Sequence, residues 1–385
     1  MSTFKLLLMP VALLLFNTAA HEAIDDAHPD AHIVAAIMQQ IERPEPLPRS
    51  GRATRVIPRG DGGWTVELDA RFLDGMDGAQ IPAELDARLQ AIRLAVLLQR
   101  EQAGQTLPPL EFQFNGQRLE DRYPEPRPAG PHRDGAAVRE ALDVFLSAGH
   151  GWYLRDGRAW RLQRPLVNGM VEDLVTPQFA RKLAASLHGG GVTTARARSE
   201  KDQLFPAAAK PWWQMASRYH AKVLYPARPD IWQSYADRQS PLREYNDDIR
   251  TRPLLANMLG AATLIHLHTN AAGPAARGAM AFHQPGRPTD RRLGHVLLCA
   301  MRASVQAAPG YAGYRVRVQP HEGNYGENRL AGAPSILIEI GFHTNASDAA
   351  ALQDPVFQQA VAAGLEQGYR NFRAGHGQDG RPVCF

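Results

Sequence analysis

Ser335-Ile336-Leu337-Ile338-Glu339-Ile340-Gly341-Phe342 sets one carboxylate inside an otherwise apolar run. The density of aliphatic and β-branched residues predicts a buried strand. An ionised carboxylate is costly there unless a cation or hydrogen bonds compensate it. A solvated edge position is the alternative, and it fits poorly because the neighbours and next neighbours of Glu339 are apolar or glycine. Glu339 is therefore the first candidate functional group.

Around this run the pattern alternates between strand-like and helical periods. Strands are expected at 144–147, 192–195, 263–267, 314–318 and 335–340, with helices around 177–187, 250–258, 291–306 and 355–372. Such alternation predicts an α/β domain over 137–376, a central, largely parallel sheet flanked by helices. Sites in such sheets lie at the carboxyl ends of the strands.

Other polar residues stand at or near these ends. In Leu146-Ser147-Ala148-Gly149-His150-Gly151 an apolar strand runs into a histidine flanked by glycines, which taken alone is more often a turn residue than a ligand. His266 and His268, in Leu264-Ile265-His266-Leu267-His268-Thr269-Asn270, fall on one face of a strand. Both could point at one metal, or one could be a buried hydrogen-bonded partner. Glu172 precedes Thr176-Pro177, which reads as an N-cap and first helical residue, so on its own it is ordinary complement to a helix dipole. Together, two histidines and a carboxylate with one open position make the ligand set of a catalytic zinc, and a further carboxylate is the general base a hydrolase needs.

Upstream lies a different organisation. Lys5, the apolar run 6–16 and small residues up to Ala20 read as a signal peptide over 1–20, too short to span a bilayer. The expected address is outside the cytoplasm, periplasmic or extracellular, with no stable membrane anchor. Residues 21–60, rich in Pro and Arg toward their end, read as an arm or linker. A small α+β accessory module is expected over 61–123: strands at 64–68 and 110–114, and between them a helix with Leu85, Leu89, Ile92 and Val96 at helical spacing. Four prolines within 124–136 make a stiff hinge, and 377–385 form a tail.

Composition limits the partners. The net charge of +4 suits an anionic surface such as a cell wall but is too weak for nucleic acid, and no basic stripe interleaves with aromatics. Two cysteines, Cys299 and Cys384, allow one disulfide in an exported protein or a buried thiol and an incidental one; both readings stand.

The motifs resemble those of the zinc-dependent N-acetylmuramoyl-L-alanine amidases of bacterial cell walls. Ala148-Gly149-His150-Gly151 is similar to that family's first ligand motif, Glu172-Asp173-Leu174 to its glutamate ligand at a helix start, and the block from Ala256-Asn257 to Ala271 to its second histidine motif. Pro334 to Asn345 is the most specific match. The resemblance implies Zn2+ held by His150, Glu172 and His268, with Glu339 as the catalytic glutamate. It makes His266 a group lining the site, and leaves Asn270 and Asn345 as further contacts. It implies peptidoglycan as partner and cleavage between N-acetylmuramic acid and L-alanine. Two departures stand out: Trp152-Tyr153 after His150-Gly151, and a long 201–248 segment whose Trp212, Trp213 and Trp232 either line a glycan groove or pack the loop. The rival readings are a zinc peptidase or amidase acting on another amide, and a non-catalytic wall-binding regulator.

Overall fold

The structure is a computed structural model that describes residues 53–125, except 69, 74, 75 and 77, together with 142–378 and 383–384. The expected signal peptide, most of the arm and most of the Pro-rich hinge lie outside the described residues.

The larger unit is built on a six-stranded sheet. In chain order its strands are β5 (Val144–Ala148), β8 (Thr194–Arg196), β9 (Thr263–Asn270), β10 (Met280–His283), β11 (His321–Glu322) and β12 (Ser335–Phe342). A small hairpin, β6 (Tyr153–Arg155) and β7 (Ala159–Arg161), follows β5 outside that sheet. Across the sheet the order is β11-β10-β12-β9-β5-β8, parallel throughout except where β10 meets β12. This is the α/β architecture expected from the alternation of periods.

Side-chain alternation divides the sheet into two faces. Val144, Leu146, Ile265, Leu267, Ile336, Ile338 and Ile340 all join one apolar core with α2 (Glu172–Gly189), α4 (Pro288–Ala307), α6 (Ala346–Gln353) and α7 (Pro355–Arg373). Each fully buried aliphatic side chain of this kind contributes roughly 1.5–3 kcal/mol. The residues between them, Ser147, His266, His268, Leu337 and Glu339, point the other way. There Phe145 and Leu264 meet α3 (Arg243–Leu259), and Met280, Phe282 and Leu337 meet Leu94 and Leu97 of a helix from the N-terminal unit.

That helix is α1 (Ala83–Gln102), and Leu85, Leu89, Ile92 and Val96 pack as the spacing predicted, against Trp64, Val66, Phe112 and Phe114 of a four-stranded sheet. The sheet order is β1 (Ala53–Pro58), β2 (Trp64–Leu68), β3 (Leu110–Phe114), β4 (Gln117–Arg118). Asn246 of α3 caps the start of α1, accepting from Ala83 N at 2.6 Å and donating to Glu84 at 3.0 Å. Arg329, the last residue of the short helix α5 (Gly326–Arg329), reaches Asp86 at 3.4 Å and Glu125 at 3.1 Å.

Four expectations change. β1 pairs antiparallel with β2, so the folded module starts within the segment read as an arm. Residues 314–318 alternate like a strand, yet Val316 forms only a single bridge to Ala279, and β10 with the short β11 makes the sheet edge instead. Helix α2 begins at Glu172 and carries Pro177 inside it. A proline there leaves the carbonyl four residues back without its helical donor, and Arg198 supplies one, donating to Asp173 O at 2.8 Å. Finally, Cys299 of α4 and Cys384 form a disulfide, which resolves the two cysteine readings.

Candidate metal centre

His150 lies two residues beyond the end of β5, in a left-handed backbone conformation with φ of 64°. The turn is possible because of the glycines beside it. A Cβ on Gly149 would stand 2.6 Å from the His268 ring and 3.2 Å from Glu172 Oε1, and one on Gly151, at φ 130°, would meet Ala216 N at 2.7 Å. Asp173 fixes the loop, accepting from Gly151 N and Gln163 N at 2.8 Å each and from Arg164 N at 3.1 Å. Arg198 holds Gly149 O at 3.0 Å.

The turn delivers His150 to the two residues the sequence had separated by long stretches. Glu172 Oε1 lies 3.3 Å from His150 Nε2 and 3.0 Å from His268 Nδ1, and accepts from Thr269 N at 3.1 Å. All three side chains are buried. Burial first, then the Arg164 cation, pushes the His150 pKa down to about 3, so the imidazole is neutral. Burial alone would raise Glu172, but the His150 and His268 rings beside it hold its carboxyl well below the usual range.

The chemistry of this donor set fits zinc. Donors about 2.0–2.1 Å from a tetrahedral ion stand about 3.3 Å from one another, close to the separations found. His150 Nε2 is buried without a hydrogen-bond partner, and an ion between the three would satisfy it. One other group of potential ligands occurs among the described residues, His295 with Cys299 and Cys384, but its sulfurs are joined to each other.

Glu339 faces the same side of the sheet, in register with His268 across the β9–β12 pair. Its Oε2 is buried and unpartnered, and burial, reinforced by the charge of Glu172, raises its pKa well above the carboxylate range. Arg164 completes the setting, with Nε 3.5 Å from Glu172 Oε2 and a 2.8 Å bond to Tyr245 Oη.

A family model described as N-acetylmuramoyl-L-alanine amidase matches residues 144–371. The chain belongs to this amidase family. The match opens on the first residue of β5 and closes inside α7, so it contains all four residues above and leaves the N-terminal module out. Among solved structures, this amidase is similar to CwlD of Clostridioides difficile, solved in complex with the GerS lipoprotein, at 16% identity over 60% of this chain and 98% of that one with a TM-score of 0.41. It is similar also to Ami1 of Mycobacterium smegmatis (17% identity, 62% and 100% covered, TM-score 0.41) and AmiC2 of Nostoc punctiforme (17%, 60% and 97%, TM-score 0.39). Comparison with curated proteins gives no match.

The remaining site candidates of this amidase fall outside the three-residue group. His266 is wholly buried with Nε2 3.1 Å from Ser335 Oγ, and burial holds its pKa well below the usual value. Asn270 contacts the Met280 sulfur at 3.7 Å. Asn345 caps α6, accepting from Asp348 N at 3.1 Å and donating to Pro274 O at 2.7 Å. Of the tryptophans, Trp212 packs with Phe205, and Trp232 donates to Tyr225 O, so both serve the loop's own packing. Sequence reasoning passed over Gln163, Arg164, Asp248, Arg252 and Glu327; the one local signal was the Asp248/Arg252 pair, opposite charges four apart on a helix.

Proposed function

We propose that this amidase is a zinc enzyme that hydrolyses the amide between the lactyl group of N-acetylmuramic acid and L-alanine in peptidoglycan. The observation that carries the reading is Glu172 Oε1 set 3.0–3.3 Å from two imidazole nitrogens, with the unpartnered Glu339 Oε2 on the same face. His150 Nε2, Glu172 and His268 Nδ1 would hold the ion. When bound, zinc supplies a water of lowered pKa and polarises the scissile carbonyl. Glu339 Oε2 takes the proton from the attacking water and returns it to the departing amine nitrogen. Thr269 N, donating to Oε1, and Arg164, 3.5 Å from Oε2, keep Glu172 aimed. In this reading residues 137–376 form the catalytic domain, the accessory module begins at β1 and runs to 123, and the segment 1–20 exports the chain to its substrate. No helix among the described residues is long and apolar enough to cross a membrane.

Digestion of purified peptidoglycan, with and without chelator, followed by mass analysis of the fragments tests this. The expected products are lactyl-bearing glycan and stem peptides with a free L-alanine amine, lost with chelator and restored by zinc. Cleavage within the peptides instead would establish a zinc peptidase, and binding without any cleavage a wall-binding regulator.

A further inference from the structure

A single, largely buried path runs between the outer sides of the two histidine ligands. His150 Nδ1 lies 2.9 Å from Gln163 Oε1, and Gln163 Nε2 donates to Asp248 Oδ2 at 2.9 Å. Asp248 also accepts from Arg252 Nη2 and, at 3.3 Å, from Arg218 N. The other nitrogen of the same guanidinium, Arg252 Nη1, donates to Glu327 Oε1 at 2.9 Å. Glu327 Oε1 stands 3.6 Å from His268 Nε2, beyond hydrogen-bond reach, and that nitrogen is buried without a hydrogen-bond partner. Arg252 and Asp248 are wholly buried and Glu327 nearly so.

Resting on the zinc reading above, we infer that this path positions the ligands: Gln163 and Glu327, held from the two ends of Arg252, fix the orientation and tautomer of His150 and His268. The direction of each bond decides the protons. A carboxylate with three donors around it only accepts. Asp248 therefore turns the Gln163 amide so that NH2 faces the carboxylate and C=O faces His150. A carbonyl at Nδ1 requires a proton there, which leaves the Nε2 lone pair facing Glu172. On the other ring an ion at Nδ1, in place of its 3.0 Å contact with Glu172 Oε1, would leave the proton on the otherwise unpartnered Nε2, where Glu327 is the nearest carboxylate. The two rings present different nitrogens to the same point, and the two ends of one guanidinium account for both choices.

A buried ion-pair cluster could instead serve the fold alone, although such clusters add little stability over apolar packing. The two roles separate experimentally. In the full-length protein, Glu327→Gln keeps an acceptor for Arg252 but removes the charge beside His268, and Gln163→Leu removes the partner of His150 at a partly exposed position outside the ion pairs. The measurements are the zinc dissociation constant by competition with a chromophoric chelator, the visible spectrum of the cobalt(II)-substituted protein, and the thermal midpoint of the metal-free protein. Each variant should bind zinc roughly 10–100-fold more weakly and shift the cobalt bands, with the metal-free midpoint close to wild type. Wild-type zinc affinity and cobalt spectrum in Gln163→Leu would overturn the inference while leaving the zinc reading intact, even if Glu327→Gln failed to fold. A wild-type protein that binds no zinc would instead sink the reading on which the inference rests.

Discussion

β9 and β12 show two different proteins on their two faces. On one, Ile265, Leu267, Ile336, Ile338 and Ile340 interlock with four helices in a core of apolar side chains. On the other, one residue along in each strand, stand His266, His268, Ser335 and Glu339, all buried and all polar. The period of two in a strand allows this division without any extra structure. It also means that one face carries stability at no chemical use, and the other carries chemistry at a cost in stability. Substitution on each face should therefore move one property and spare the other.

The largest expected effect is on the polar face. Glu339→Gln should lower hydrolysis by about 10²–10⁴-fold, the range for loss of a general base. Zinc should stay bound, and the thermal midpoint should not fall, because the amide keeps the shape of the carboxyl and never carries the charge that burial disfavours. Peptidoglycan digestion, elemental analysis and calorimetry on one preparation measure all three. Substantial residual hydrolysis would place the base elsewhere.

The adjacent position reverses the pattern. Ile338→Ala should cost about 2–5 kcal/mol in denaturant unfolding through the cavity it leaves. Hydrolysis per folded molecule and zinc content should stay at wild-type levels. If this variant lost activity while its unfolding midpoint held, the two faces would not be separable in the way their packing indicates.

The same contrast explains what could be read in advance. Glu339 was legible because the apolar run around it marks a strand buried on both faces, where a carboxylate is costly. His150, Glu172 and His268 were legible as ligand types at strand or helix ends, with His268 singled out over His266 by family resemblance; their convergence was not legible, since Glu172 and His268 lie 96 residues apart. Gln163 and Glu327 gave no signal: their work depends on Asp248 and Arg252, 85 and 75 residues away. The fold shows the same boundary. Alternation at 314–318 imitated a strand, although only Val316 finds a bridge. Pro177 looked like a helix start, because nothing local announces that Arg198 takes over the carbonyl it frees.

The smallest predicted effect concerns what roofs the polar face. Helix α1 lies over it with Asp86 buried between Arg329, Glu327 and Glu125. Burial is the main cause that raises the Asp86 pKa to about 7, and Glu327 and Glu125 add to it against the pull of Arg329. The unfolded chain releases this proton near 3.8, the ordinary value of an aspartic acid, whereas the folded protein keeps it until about 7. Between those values the folded state binds more protons than the unfolded one, so stability falls as pH rises through that window. For a chain of this size the thermal midpoint should drop by roughly 2–4 °C between about pH 5 and pH 7. Asp86→Asn should flatten that part of the profile, so the difference between the two scans isolates this carboxyl from every other titrating group. Ile338→Ala, on the apolar face and with no ionisable group of its own, should lower the midpoint at both pH values by the same amount. A parallel pair of profiles for wild type and Asp86→Asn would show that the roof over the polar face is held without this proton.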